Sequence, residues 1–263
     1  SGSRLLGVAN SLFRRGHLQR AQLAYREILL RDPDDLTVQR LLQRAMGAAE
    51  PGAVFERFRH DGNEAIAALQ ADPEAAAAGG APATTLIEQR IVELYEDGSR
   101  YVETHELRRL NDPDGVEMYG NAEDPAAAGE VLLLRTVDTS GKEYVPVRIQ
   151  QGYSMPGVFV EWRYRDHHEA PADGVLAFDG FVFGSFADDI RLAELIVIRP
   201  KGHKMEIRTR GFDKPSEVID LEDGREALRY AVHDKKRLVP DTSMPPLSEM
   251  VPMVVAGKDR TIG

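Results

Sequence analysis

Near residue 83 the spacing of apolar residues changes from the period of a helix to the period of a strand, and this change limits the fold more than any other feature. Before it, Leu5, Val8, Ala9, Leu12 and Phe13 recur at helical spacing, and so do Leu18, Ala21, Ala24, Tyr25, Ile28 and Leu29. After it, short apolar runs alternate with Gly and Pro turns. The clearest is Val158, Val160, Trp162 and Tyr164, interleaved with Glu161, Arg163 and Arg165. The pattern predicts an α+β chain: an N-terminal helical hairpin, then an antiparallel β-sandwich-like domain.

Punctuation sets the expected boundaries. A helical segment covers 4–50, with a third helix from Leu36 to Ala48 behind an Asp35 cap. Short helices near Val54–Phe58 and Glu64–Gln70, then an Ala/Gly/Pro linker, fill 51–82. The β-domain covers 83–237, and an extended, Pro-rich exit strap covers 238–263. Three hairpins are predicted, at Asp97-Gly98, at Thr139-Ser140-Gly141 and at Pro200-Lys201-Gly202, where glycine accepts the positive φ of a tight turn. Further strands fall near Val175–Phe183 and Leu228–Val232, with no helix between strands.

Gly16, Ala21, Tyr25, Ile28 and Pro33 stand at the spacing Gly-x4-Ala-x3-Tyr-x2-Ile-x4-Pro, which resembles one tetratricopeptide repeat. The chemistry suits that unit. Gly16 permits the turn, Ala21 lets helices approach, Tyr25 fills the gap between repeats, and Pro33 stops the second helix. Leu5 and Ala9 depart from the usual bulky residue and glycine. The resemblance implies a protein or peptide partner for the helical segment.

The formal charge of −10 is uneven. Residues 1–48 hold eight Arg against Glu27, Asp32, Asp34 and Asp35, a balance of +4, which leaves −14 for the rest. Such acidity argues against nucleic acid as the main partner. No apolar run reaches the ~18 residues of a membrane helix. With no cysteine, thiolate zinc sites, disulfides and cysteine nucleophiles are excluded within this sequence. Ser1-Gly2-Ser3 has the look of a cloning remnant, and no signal peptide follows it.

Candidate chemistry is sparse. His167-His168 between Asp166 and Glu169 is the most metal-like cluster, yet neighbouring strand side chains diverge, and a polar loop explains it as well. Gly152-Tyr153-Ser154-Met155-Pro156-Gly157 departs from a nucleophile elbow by one residue, and Pro156-Gly157 reads better as a turn. Asp188-Asp189, or Glu161 with Asp166, would have to face each other across a cleft to hydrolyse a glycoside. Trp162, Tyr164, Phe178, Phe181, Phe183 and Phe186 offer either a core or a platform for a peptide or glycan, with Trp162 and Tyr164 as the candidate binding surface. No metal or cofactor is expected.

The order of these features resembles a bacterial family in which tetratricopeptide repeats lead into a β-rich domain of unknown function that precedes a transglutaminase-like, papain-fold domain. The residues that carry it are Val137-Asp138-Thr139-Ser140-Gly141-Lys142, the block Tyr153 to Tyr164 with Pro156-Gly157 feeding Glu161-x-x-Tyr164, and Leu192 to Arg199 running into Pro200-Lys201-Gly202. Met250-Val251-Pro252-Met253-Val254-Val255 is similar to that family's strap into the catalytic domain. The resemblance implies a non-catalytic accessory region, a downstream cysteine-dependent enzyme as partner, and a periplasmic or envelope location, with the cytoplasm left open. A stand-alone peptide- or glycan-binding module and a hydrolase built on the β-domain carboxylates or Ser154 stay open as alternatives.

Overall fold

The computed structural model describes residues 2–14, 17–33, 35–47, 53–72, 80–95, 98–120, 129–144, 155–169, 178–202, 205–241 and 243–257. The chain is α+β and divides into two compact units, 1–59 and 60–263.

In the first unit α1 (Gly2–Arg14), α2 (Leu18–Leu29) and α3 (Leu36–Gly47) share one core, and a short α4 (Ala53–Glu56) follows. Of the two predicted stripes Ala9, Phe13, Ala21, Ala24, Tyr25 and Ile28 are buried while Val8 is exposed, and Val38 and Ala45 of α3 complete the core. Tyr25 keeps its hydroxyl satisfied by donating to Asn10 Oδ1 at 2.8 Å. Gln22 Nε2 donates to the Ala45 carbonyl and fastens α2 to α3. Asp35 Oδ1 accepts from the Thr37 and Val38 amides, the expected cap of α3. Gly16 lies outside the described residues.

The second unit opens with α5 (Gly62–Gln70), capped by Asp61 through the Asn63 amide. Ile66 and Leu69 of α5 pack on Leu86, Ile87, Leu107, Val137 and Phe159 of a large sheet. That sheet has eight strands in the order β4-β3-β5-β2-β1-β7-β10-β9. Its strands are β1 (Ala83–Leu94), β2 (Arg100–Leu110), β3 (Glu130–Val137), β4 (Glu143–Tyr144), β5 (Phe159–His168), β7 (Asp188–Pro200), β9 (Glu217–Asp220) and β10 (Arg225–Lys235). A smaller sheet of β6 (Phe178–Val182), β11 (Met253–Ala256) and β8 (Ile207–Arg210) contributes Phe178, Phe181, Val254 and Ala256 to a core shared with Val92, Leu195, Val197, Leu228 and Tyr230. Phe183 joins that core with its ring edge-on to Phe181 and Phe212.

The first two predicted hairpins form. Gly98, at φ 85°, closes β1 on β2, and Gly141, at φ 83°, closes β3 on β4. In the second turn Asp138 accepts from the Ser140 hydroxyl and from the Ser140 and Lys142 amides. These bonds pull its carboxyl down to about 2.

Four expectations are corrected. The large sheet is mixed rather than antiparallel, because β1 runs parallel to β7. The third hairpin does not form. Leu195 to Ile198 is apolar and buried on both faces, the mark of a central strand, and β1 and β10 occupy the two edges of β7. Ile207–Arg210 instead pairs with β11 in the other sheet. A helix, α6 (Pro113–Tyr119), does separate two strands: Asp112 caps it and Pro113 begins it. The exit strap contains α7 (Leu247–Met250), and then β11 lies in the middle of the small sheet with Val254, Val255 and Ala256 buried. Among the described residues no helix is long and apolar enough to cross a membrane.

Candidate functional site

The face of the large sheet that meets the small sheet continues past it onto β2 and β5, and there it turns polar. Strand alternation and register put Glu88, Arg90 and Val92 of β1 beside Glu106, Thr104 and Val102 of β2. Trp162, Tyr164, Asp166 and His168 of β5 follow, opposite Glu106, Thr104, Val102 and Arg100. A groove of about 180 Å³ opens here between Arg90, Arg100, Thr104, Tyr164, Asp166 and His168, with Phe178 of β6 at its margin.

Arg108 anchors the end of this face next to α6. Its guanidinium lies 4.6 Å from the Tyr119 ring centre and 5.0 Å from that of Trp162. It pairs with Glu106 and with Asp188, whose other contacts are Thr85 and the Tyr119 hydroxyl. Burial works against the Arg108 charge, but Glu106 and Asp188 outweigh it and its pKa rises. Glu88 stands opposite Glu106 in the ladder. Burial, reinforced by Glu106, pushes its carboxyl up to about 7. Burial also raises Asp166, whose Oδ1 is enclosed with no hydrogen-bond partner among the described residues. The arrangement can seat a small polar group between guanidinium, imidazole and phenol, with Glu88 standing outside the groove, two residues along β1 from Arg90.

The sequence candidates divide cleanly on this frame. Tyr164 lines the groove, whereas Trp162 has Arg108 over its ring. Phe178, Phe181 and Phe183 are core, and Phe186 is half-buried. Glu161 and Asp166 point to opposite faces of β5, so they cannot flank one substrate. Asp188 and Asp189 have separate partners: Asp189 accepts from Lys236 and from the Arg237 amide. His167 and His168 are strand residues rather than loop residues, and they diverge: His167 meets the Tyr101 ring at 4.6 Å and His168 enters the groove. No cluster of three metal-ligating side chains exists among the described residues. Ser154 lies outside them, and Pro156-Gly157 forms the expected turn, closed by the Val158 amide on the Met155 carbonyl. Of the repeat positions, Ala21, Tyr25 and Ile28 are buried and Pro33 is exposed.

The opposite face holds a buried polar network that the alternation of β5 hides. Glu161 accepts from His105 at 2.8 Å and from Arg135 Nε at 2.6 Å. Glu194 accepts from Gln89 at 2.6 Å and lies 2.9 Å from His60 Nε2 and 2.8 Å from Arg229. Burial alone would raise both carboxyls, yet these partners hold them below the usual range. The readable signal was α5, whose apolar stripe needs a sheet face to cover.

No family model matches this chain, and no curated protein matches it by sequence. Among solved structures it is similar to the crystal structure of a "putative protease" from Parabacteroides distasonis ATCC 8503, with a TM-score of 0.55 and 13% identity. The match covers 66% of this chain and 40% of that one, so the similarity extends over less than half of the longer protein. At this identity the likeness shows a shared fold alone.

Proposed function

We propose that this chain is a non-catalytic accessory region of a transglutaminase-like, papain-fold protein. Its helical unit is a tetratricopeptide-like hairpin for protein interaction, and its two-sheet unit is a sandwich that positions or gates a downstream enzyme. The observation that carries this reading is the polar face of the large sheet, where a groove lined by Arg90, Arg100, Tyr164 and His168 opens on strands and can hold a partner segment. The shared fold adds support, since it recurs as 40% of a longer chain described as a "putative protease". The test begins with the reading frame beyond Gly263. A cysteine followed by histidine and aspartate is expected, and peptide hydrolysis or acyl transfer by the longer protein should fall when Arg90 and Tyr164 are both replaced by Ala. A stop codon directly after Gly263, together with ester or glycoside hydrolysis by the isolated chain, would overturn the proposal.

A second reading, a stand-alone peptide-binding module, is favoured by the mixed lining of the same groove. Saturable binding of an extended peptide to the isolated chain, lost in Tyr164→Ala with the fold intact, would select it.

A further inference from the structure

The buried network beneath α5 contains a histidine whose protonation state its neighbours dictate. His105 is 1% exposed. Its Nε2 is 2.8 Å from Glu161 Oε1, and its Nδ1 is 3.3 Å from Arg163 Nη2. A guanidinium can only donate, so Nδ1 accepts and the proton sits on Nε2, directed at the carboxylate. The same Arg163 Nη2 donates to the His60 carbonyl at 3.2 Å. One nitrogen thus bridges the buried ring to the main chain immediately before Asp61, the cap of α5. Glu161 in turn lies so close to Gly62, the first residue of α5, that any Cβ there would collide with its carboxylate.

We propose that His105 is a proton-operated latch on the start of α5, closed while the ring is neutral and opened when Nδ1 takes a proton. A proton on Nδ1 turns the acceptor into a donor. It sets a second positive charge against Arg163 and expels Nη2 from between the ring and the His60 carbonyl. The start of α5 then loses the tie that runs through Arg163 and is left with the one from His60 to Glu194.

The charged and titratable groups around the ring are Glu161 and Arg163 from β5, Glu103 on its own strand, Arg135 from β3 through Glu161, Glu194 from β7, and His60 from the segment before α5. Glu161 attracts the added proton, but Arg135 already shares that carboxylate. Burial opposes the charge, and so do Arg163 and His60. The ring's pKa is accordingly lowered.

The test uses the full chain. Long-range proton–nitrogen spectra should show His105 as the Nε2–H tautomer, still neutral at pH 6, where a free imidazole is roughly three-quarters protonated. Amide exchange at residues 61–66, corrected for intrinsic chemistry, should be flat from pH 8 to 6.5. Protection there should fall about tenfold as pH is lowered further and the ring takes its proton, while β7 amides keep theirs. His105→Gln should abolish the step. If that variant fails to fold, the wild-type spectra still decide. A charged ring or an Nδ1–H tautomer at pH 7 overturns the latch, as does loss of α5 protection only together with β7.

Discussion

Glu88 and Glu106 face each other across the β1–β2 ladder, two carboxylates paired directly in a sheet where like charges repel. Arg108 neutralises Glu106, and Glu88 answers by holding its proton. The unfolded chain ionises Glu88 near 4.5 and the folded chain only at about 7. The stability this group contributes is therefore full below pH 4.5 and is lost as pH rises through about 7. Glu88→Gln should stabilise the protein at pH 8 by on the order of 2 kcal/mol and change little at pH 4. Urea unfolding at the two pH values measures it; an equal effect at both would remove the assignment.

The network on the other face predicts the reverse slope. Glu161 and Glu194 have depressed pKa values, so their stabilisation is present above about 4.5 and disappears as pH falls through the folded values. Arg135→Met should cost about 3 kcal/mol at pH 7, because it strands the buried Glu161 charge. The penalty should shrink at pH 4, as protonation relieves that charge. Thermal melts of both proteins at both pH values give the comparison.

Gly62 is fixed by space, since Glu161 leaves no room for a side chain there. Gly62→Ala should destabilise by roughly 2 kcal/mol despite alanine's better helix propensity. Shortening the neighbour with Glu161→Asp in the same chain should recover part of the loss. Simple additivity of the two substitutions in a double-mutant cycle would contradict the packing described.

Trp162 is the sole tryptophan, and a guanidinium covers it. Arg108→Met should shift its fluorescence emission and cost about 3 kcal/mol, since Asp188 loses a buried partner. Unchanged emission in the folded variant would mean that Arg108 does not lie on the indole.

Much of this architecture could be read locally. The helical stripes, the Asp35 cap and the turns at Gly98 and Gly141 depend on neighbouring residues, and there the spacing was a sound guide. What escaped depended on distant partners. Leu192 to Ile198 reads as half of a hairpin until both of its edges are seen to be occupied, and then the apolar run Leu195 to Ile198 within it marks a central strand. Glu161 and Arg163 alternate with Val160 and Trp162 as solvent-facing residues would, yet Glu161 is 1% exposed. Period two shows that two faces differ; it does not show that one of them is wet. The groove was half legible: Tyr164 was marked by its strand, while Arg90, Arg100 and Thr104 join it only through the β1–β2–β5 register.

The parallel ladder between β1 and β7 also sets a timetable. Ala83 pairs with Asp188, 105 positions later (188 − 83), so β1 is made long before its central partner exists. At 5–20 residues per second, a ribosome takes roughly 5 to 20 s to supply it. During that interval β1 and β2 can close as a hairpin with one edge of β1 open, and the unpaired backbone of that edge is then available to a wrong neighbour. Folding of this unit should be slow for its size, since its most buried ladder joins residues so far apart in sequence. For the nascent chain, the emergence of β7 is the moment at which the open edge of β1 can close, and β7 in turn waits for β10.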